Sequence, residues 1–366
     1  MRINRIALNG FRNYDFETAD FSPGTNVIYG ENAQGKTNLL ESVYMLAMGR
    51  SFRTRFDREL IGFGCDSAEI LADVVSHGRE QTVRILLRSG VRKQITVNSV
   101  KKTASELGET LNVVLFCPDD LNLIKEGAAA RRRLMDNAIS QIRPRYAEYL
   151  SQFNKFYESK MRILKDWREK PSLLDTLDEF SDGMCRTSAQ LIRYRASFAA
   201  RLADEAAPIH SEFSGADEKL GIEYSTVSAV KDPTASAKEI FYDLCDHMEA
   251  HRRAELDSGQ CLSGAHKDDL IISINGKNAR SFASQGQTRT AALSIKLAER
   301  EIYLDETGEY PILLLDDVLS ELDTKRQEFV LNRIGGGQTL ITCCEDEGIS
   351  RRTGGKVLHV GNGRIG

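Results

Sequence analysis

The strongest constraint on this chain is a run of eight residues, Gly30-Glu31-Asn32-Ala33-Gln34-Gly35-Lys36-Thr37, which fits G-x-x-x-x-G-K-[ST] in full. Its flanks are as informative. Asn26-Val27-Ile28-Tyr29 reads as a short strand running into the first glycine, and Leu39, Leu40, Val43, Leu46 and Ala47 recur at helical spacing from Lys36 to about Met48. Strand, glycine-rich loop and helix in that order make a phosphate cradle. The glycines let the backbone curl until its N–H groups face one anion. The helix adds unpaired N–H groups at the positive end of its dipole. Lys36 is then the point charge for the β- and γ-phosphates, Thr37 a hydroxyl ligand for Mg²⁺, and Gly30 through Asn38 the loop around ATP.

The acidic half of such a site is Leu313-Leu314-Leu315-Asp316-Asp317, an apolar run of the kind that suits a strand buried on both faces of a parallel sheet. A carboxylate at the end of a buried strand is costly unless it holds a metal or a hydrogen-bond network. Asp316 is the candidate for holding Mg²⁺ through water, and Asp317 for orienting the attacking water; the alternative is a pair that only caps the next helix. Nearly the whole chain of 366 residues lies between the two halves, so its ends must converge on one sheet around a large excursion. Ser284-Gln285-Gly286-Gln287 precedes a helical pattern from about Gln287 to Tyr303 and resembles the ABC signature loop. In that reading Ser284, Gly286 and Gln287 cradle the γ-phosphate of ATP held by a second copy, whereas in the plain reading they cap a helix. Ser320-Glu321-Leu322-Asp323 resembles the D-loop that touches the opposite copy, and Thr342-Cys343-Cys344 stands where such heads usually carry a switch histidine. Asp317 is one methylene shorter than the common glutamate, so slow turnover by Lys36, Asp316 and Asp317 is expected.

The remaining pattern is read as a frame for these motifs. Residues 3–8 read as a strand, and 70–75, 82–87 and 94–97 as an antiparallel meander broken at Gly78 and Gly90. Residues 128–207 are helical in pattern and punctuated by Pro144, Pro171 and Pro208, too broken for a long coiled coil. Residues 270–274 and the Asn275-Gly276 pair predict a strand entering a type I′ hairpin. The expected class is α/β: an ABC-type P-loop ATPase head, with a mixed sheet, helices and an antiparallel meander, plus a helical second domain. The head is expected from residues 1–125 and 265–366, with 284–303 at its helical lobe, and the second domain from 126–264.

Composition excludes rather than selects. A net charge of −4 rules out a wholesale polyanion binder, so nucleic-acid contact must come from local basic patches. Seven cysteines without a C-x-x-C pair suit free thiols in a reducing compartment. No leader-like segment and no run of 18 apolar residues occurs, so a cytoplasmic, nucleoid-associated location and no membrane partner are expected. His266 with Asp268 and Asp269 lacks metal-ligand spacing and reads as a hydrogen-bond network.

The residues around the motifs resemble the RecF family nearly from end to end. Phe11-Arg12-Asn13-Tyr14, Lys36 through Glu41, Gly49-Arg50-Ser51-Phe52-Arg53, Phe116 through Leu121, Arg131-Arg132-Arg133 with Asp136, Gly264 through Leu270 and Leu314 through Asp323 carry the likeness. Departures are Asp119 for glutamate, Ala265 for proline and Lys267 for arginine. The resemblance implies an ATP-dependent homodimer that binds gapped, single- and double-stranded DNA. It implies RecO and RecR as partners and the loading of RecA at single-strand gaps in post-replication repair. It also implies that Arg12 lies near the nucleotide base.

Candidate DNA contacts are Arg50, Arg53, Arg55 and Arg58, then Arg131, Arg132 and Arg133, with Arg143 and Arg145 flanking Pro144. Neutralising about four phosphates predicts a log–log salt slope of roughly −3.6 on duplex. Solvated faces with internal ion pairs are the alternative for each cluster. No recognition-helix or zinc-finger pattern is present, so readout of shape is expected instead of sequence. Two other functions compete with a slow, DNA-stimulated ATPase. A transporter-type ABC subunit predicts a switch histidine and a shorter gap than the about 250 residues between Thr37 and Ser284. A small-molecule P-loop kinase predicts no signature loop.

Overall fold

A computed structural model describes residues 1–344 and 348–366. The chain forms two compact units, Met1–Asn122 with Arg289–Gly366, and Leu123–Thr288.

The first unit opens with β1 (Arg2–Phe11), β2 (Tyr14–Asp20), β3 (Thr25–Tyr29) and helix α1 (Lys36–Met48), followed by β4 (Ser67–Ser76), β5 (Arg79–Arg88), β6 (Val91–Val97), β7 (Val100–Lys102) and β8 (Val113–Phe116). The second unit holds α2 (Ala128–Ile142), α3 (Pro144–Asp166), α4 (Leu177–Ser214), β9 (Leu220–Ser225), α5 (Ala237–Ala250), α6 (Arg252–Ser258), β10 (Asp269–Ile274), β11 (Lys277–Asn278) and α7 (Ala279–Phe282). Helix α8 (Gln285–Thr307) leads back to the first unit, which closes with β12 (Ile312–Asp316), α9 (Thr324–Arg333), β13 (Thr339–Cys343), α10 (Ile349–Thr353), β14 (Lys356–Gly361) and β15 (Arg364–Ile365).

Two sheets build the first unit. One is antiparallel in the order β2-β1-β4-β5-β6-β7; the other runs β15-β14-β3-β13-β12-β8 and is parallel except for β15. Alternation sets the antiparallel sheet: Ala68, Ile70, Ala72 and Val74 of β4 and Val83, Ile85 and Leu87 of β5 all point inward. In β12 every residue is buried, as a strand with parallel neighbours on each side requires. Helix α1 shares one apolar core with residues of both sheets and is buried at nearly every position. The expected meander is present as β4–β7, but β1 joins its edge by pairing Ile6 with Ala72 and Leu8 with Ile70. No local pattern announces that long-range pairing.

In the second unit the Asn275-Gly276 turn has both residues at positive φ, 52° and 75°, and Ile274 pairs with Lys277, as a type I′ hairpin demands. Pro208 does not end its helix: α4 runs through it to Ser214. A proline inside a helix costs about 3 kcal/mol, yet Ile209, His210 and Phe213 beyond it are buried and hold the last turns in place. The segment around β9 and α5 carries no pattern that the sequence reading marked.

Candidate nucleotide-binding site

The site of the first unit lies at the carboxyl ends of neighbouring parallel strands, where open α/β sheets take their ligands. The loop from Gly30 to Gly35 links β3 to α1. Its curl rests on three positive φ angles: Gly30 at 152°, Ala33 at 65° and Gly35 at 124°. A Cβ on Gly30 would stand 2.0 Å from the Val360 carbonyl oxygen, so β14 leaves room for glycine alone. The buried Tyr14 hydroxyl donates to the Gly35 carbonyl at 2.9 Å, and Asn13 Nδ2 donates to the Gln34 carbonyl at 2.8 Å. Asn362 N–H reaches Gln34 Oε1 at 2.6 Å, and the Cys344 thiol meets Asn32 Oδ1 at 3.0 Å. Glu31, Asn32 and Ala33 stay exposed at the lip. The buried Lys36 ammonium donates to the carbonyls of Gly30 and Glu31, the latter at 2.8 Å, which fixes its charge at the loop.

Strand β13 lies between β3 and β12 and joins the two halves of the site. Thr37 Oγ1 and Thr342 Oγ1 both donate to Asp316 Oδ1, each at 2.9 Å. Thr342 Oγ1 in turn accepts the Asp317 N–H at 2.8 Å. Burial raises the Asp316 carboxyl above the ordinary aspartate range, and the Thr342 and Thr37 hydrogen bonds oppose that rise. Asp317 sits at φ 53°, and Ser320 Oγ donates to its carbonyl at 2.7 Å, so the turn after β12 is held in a left-handed bend. The Thr37 hydroxyl at the start of α1 and the Asp316 carboxylate at the end of β12, beside the glycine-rich loop, are oxygen donors of the kind Mg²⁺ takes beside a phosphate. The residues present therefore fit ATP and Mg²⁺.

Sequence reasoning missed the second layer. Glu41, fully buried on α1, takes Arg12 in a two-pronged contact at 2.8 Å on each oxygen and also accepts the Ser51 hydroxyl. Arg53 donates to Asn38 Oδ1 at 2.8 Å, and Asn38 donates to Asn13 Oδ1 at 2.8 Å. A glutamate on an otherwise apolar helix was the available signal, since a buried carboxylate requires a cation.

In the second unit Ser284 caps α8. Its Oγ accepts the Gln287 N–H at 3.2 Å, while Gln287 Oε1 accepts the Ser284 N–H at 2.9 Å. Because the serine oxygen accepts in this cap, its own O–H remains a donor for an anion. Gln287 Nε2 donates to Glu218 at 2.7 Å, and Glu218 meets the buried His210 ring at 3.2 Å. Lys125 donates to the carbonyls of Arg280 and Ala283 at 3.1 and 2.9 Å, tying down the residues that precede the cap. Gly286 lies in the first turn of α8.

The arginine clusters separate. Arg50, Arg53, Arg55 and Arg58 are exposed, as are Arg143 and Arg145. Arg131 is buried in a two-pronged pair with Asp269 at 2.7 and 2.9 Å, and Arg132 donates to the Asp268 carbonyl at 2.6 Å. Arg131, buried in that pair, serves the fold, which corrects the expectation of a phosphate contact there; Arg132 is half-buried and Arg133 exposed. The fully buried Asp268 nearby accepts from Arg195, Tyr224 and Thr226; Arg195 also pairs with Asp136 at 2.8 Å. His266 belongs to the same region, tilted against Tyr157 with ring centres 4.8 Å apart and bonded to the Cys261 carbonyl at 3.0 Å. Among the described residues no metal-binding cluster of such groups occurs.

The chain is similar to known proteins along nearly its whole length. The family model described as RecF/RecN/SMC N terminal domain matches residues 2–354. The DNA replication and repair protein RecF of Acetivibrio thermocellus is 40% identical over 362 residues, 98% of each chain. That of Listeria monocytogenes is 41% identical over 360 residues, 96% of this chain and 95% of the relative. The solved structure of the recombination mediator protein RecF-ATPrS in the RecFOR pathway superposes with a TM-score of 0.92 at 34% identity, covering 100% of this chain and 97% of the other. An Smc head domain from Pyrococcus furiosus gives 0.57 at 16% identity over 99% of this chain and 94% of the other, a likeness of fold alone.

Proposed function

The chain belongs to the RecF family, and from that premise we propose that it is an ATP-gated DNA-binding protein of replication and recombinational repair. The observation that carries the reading is the meeting of Thr37, Asp316 and Thr342 through one carboxylate oxygen. That oxygen joins the P-loop threonine to the acidic strand, so the two motifs stand where one ligand can meet both.

The residues divide the work. Gly30 through Asn38 bind the phosphates, with Lys36 supplying a positive charge held by two backbone carbonyls. Thr37 and Asp316 would hold Mg²⁺, and Asp317, its backbone fixed by Thr342 and Ser320, would orient a water for attack. Mg²⁺ when bound polarises the phosphoryl oxygens between the β- and γ-phosphates. Ser284, Gly286 and Gln287 offer a hydroxyl and the start of a helix to the γ-phosphate of a second copy. Hydrolysis is slow and stimulated by DNA, so that ATP acts as a timing switch. The first unit is the ATPase head and the second the mainly helical domain. By family, RecO and RecR are the partners, gapped, single- and double-stranded DNA the substrate, and RecA loading in the cytoplasm the outcome. Among the described residues no helix is long and apolar enough to cross a membrane.

The deciding experiment is the mass of full-length Asp317→Asn protein in solution, by light scattering, with and without ATP-Mg²⁺. ATP should convert monomer to dimer, and Ser284→Arg should abolish the conversion. A mass that ignores ATP while ATP still binds would leave a monomeric P-loop enzyme and remove the gating mechanism.

A further inference from the structure

The segment from Ser51 to Gly64 follows the P-loop helix and carries more than arginines. Phe63 is 108% exposed and Phe56 57% exposed. The backbone beneath them is fixed. Leu60 is fully buried, Ile61 forms a β-bridge with Phe11, Arg12 N–H donates to the Leu60 carbonyl at 2.8 Å, and Gly62 N–H donates to the Gly10 carbonyl at 2.8 Å. Two aromatic rings are therefore held out into water by a tied loop, which marks a contact surface.

Its charge states what it contacts. Of the two acidic groups in the segment, Asp57 pairs with Lys93 at 2.8 Å, while the exposed Glu59 carboxylate accepts the Thr54 hydroxyl and keeps its charge beside three exposed arginines, Arg53, Arg55 and Arg58. Arg55 and Arg58 have no carboxylate partner among the described residues, and the Arg58 guanidinium lies over the Phe56 ring, 5.3 Å from its centre. Guanidiniums without a carboxylate partner beside exposed aromatic rings, one of them already covered on one face by Arg58, match a strand that offers phosphates and unstacked bases together. A duplex keeps its base faces stacked and offers them to Phe56 and Phe63 only at the cost of unstacking a base step.

We propose that Arg55, Phe56, Arg58 and Phe63 form a platform on which unpaired bases of single-stranded DNA stack. The proposal rests on the DNA-binding reading above and adds base recognition to it. The platform is wired to the nucleotide loop: Arg12 joins the Glu59 carbonyl, at 2.9 Å, to Glu41 of α1, and Arg53 reaches Asn38.

The test compares full-length protein with ATP-Mg²⁺ on an oligothymidylate and on an abasic strand of the same length and charge, by fluorescence anisotropy. The wild type should prefer the strand with bases by about tenfold or more. Phe56→Ala with Phe63→Ala should bring that ratio to about one while ATP affinity, the check of folding, holds. Arg55→Ala with Arg58→Ala should weaken both strands and reduce the log–log salt slope by about 1.4. A wild-type ratio of one, or a ratio that survives loss of both phenylalanines, overturns the platform; so does loss of the ATP-dependent dimer in the phenylalanine variant with the ratio intact, which assigns the rings to a protein interface. Binding of duplex without base preference on single strands sinks the platform alone, whereas binding of no DNA at all sinks the DNA-binding reading with it.

Discussion

Thr342 opens the run Thr342-Cys343-Cys344, where a switch histidine would be expected, and its hydroxyl joins the two acidic residues after β12. A hydroxyl accepts and donates at once, so it links the Asp317 amide to the Asp316 carboxylate in one step. Thr342→Val removes both bonds while keeping the shape. Leaving a buried polar group unpaired costs about 1–3 kcal/mol, so single-turnover hydrolysis should fall about tenfold to a hundredfold, ATP affinity should change little, and Thr342→Ser should recover the rate. His266 gives a second prediction at this scale. Burial pushes its imidazole down to about 4 from the ordinary 6.5, with the Lys267 and Arg132 charges acting in the same direction. The folded form then stays neutral where the unfolded chain takes a proton. Stability is fully present above pH 6.5 and is lost as pH falls toward 4, by about 3 kcal/mol at the limit. Urea unfolding of wild type against His266→Gln between pH 7 and pH 4.5 reads this directly; parallel slopes would refute it.

Single elements differ in how plainly the sequence announced them. The P-loop helix and β12 were legible because one turn-to-turn pattern and one apolar run carry the whole signal. The cap at Ser284 was legible as a cap, since the serine and Gln287 lie at the spacing of a reciprocal pair. Arg131 was misread because its partner Asp269 is remote in sequence, and a buried arginine and a solvent-facing one look alike in a string. Pro208 was misread because the burial that overrides it belongs to tertiary packing. Two elements invite tests. Arg195, buried between Asp136 and Asp268, joins the regions of α2 and β10. Arg195→Met strands both carboxylates and should cost about 3–5 kcal/mol, visible as a lowered urea midpoint of the whole chain. Lys125 holds the carbonyls ahead of the Ser284 cap. Lys125→Ala should loosen that approach, so ATP-driven dimerisation should weaken by about tenfold, as 1–2 kcal/mol of lost charged hydrogen bonds implies, while nucleotide affinity of the monomer stays near wild type.

At the scale of the molecule, the sequence required its two ends to converge, and the order β3-β13-β12 is how they do so. What no string could supply was the middle term: that β13 stands between the P-loop strand and the acidic strand, and that its threonine completes the site. That order has a further consequence. The P-loop strand β3 takes its sheet neighbours, β13 and β14, from residues 339–361. During synthesis the glycine loop therefore emerges early and waits, with an unpaired strand behind it, until residues 339–361 have left the ribosome. A nascent or prematurely terminated polypeptide carries every residue of the loop and none of its support. Such fragments should not hold ATP, and the emergence of β13 and β14 becomes the event that completes the loop.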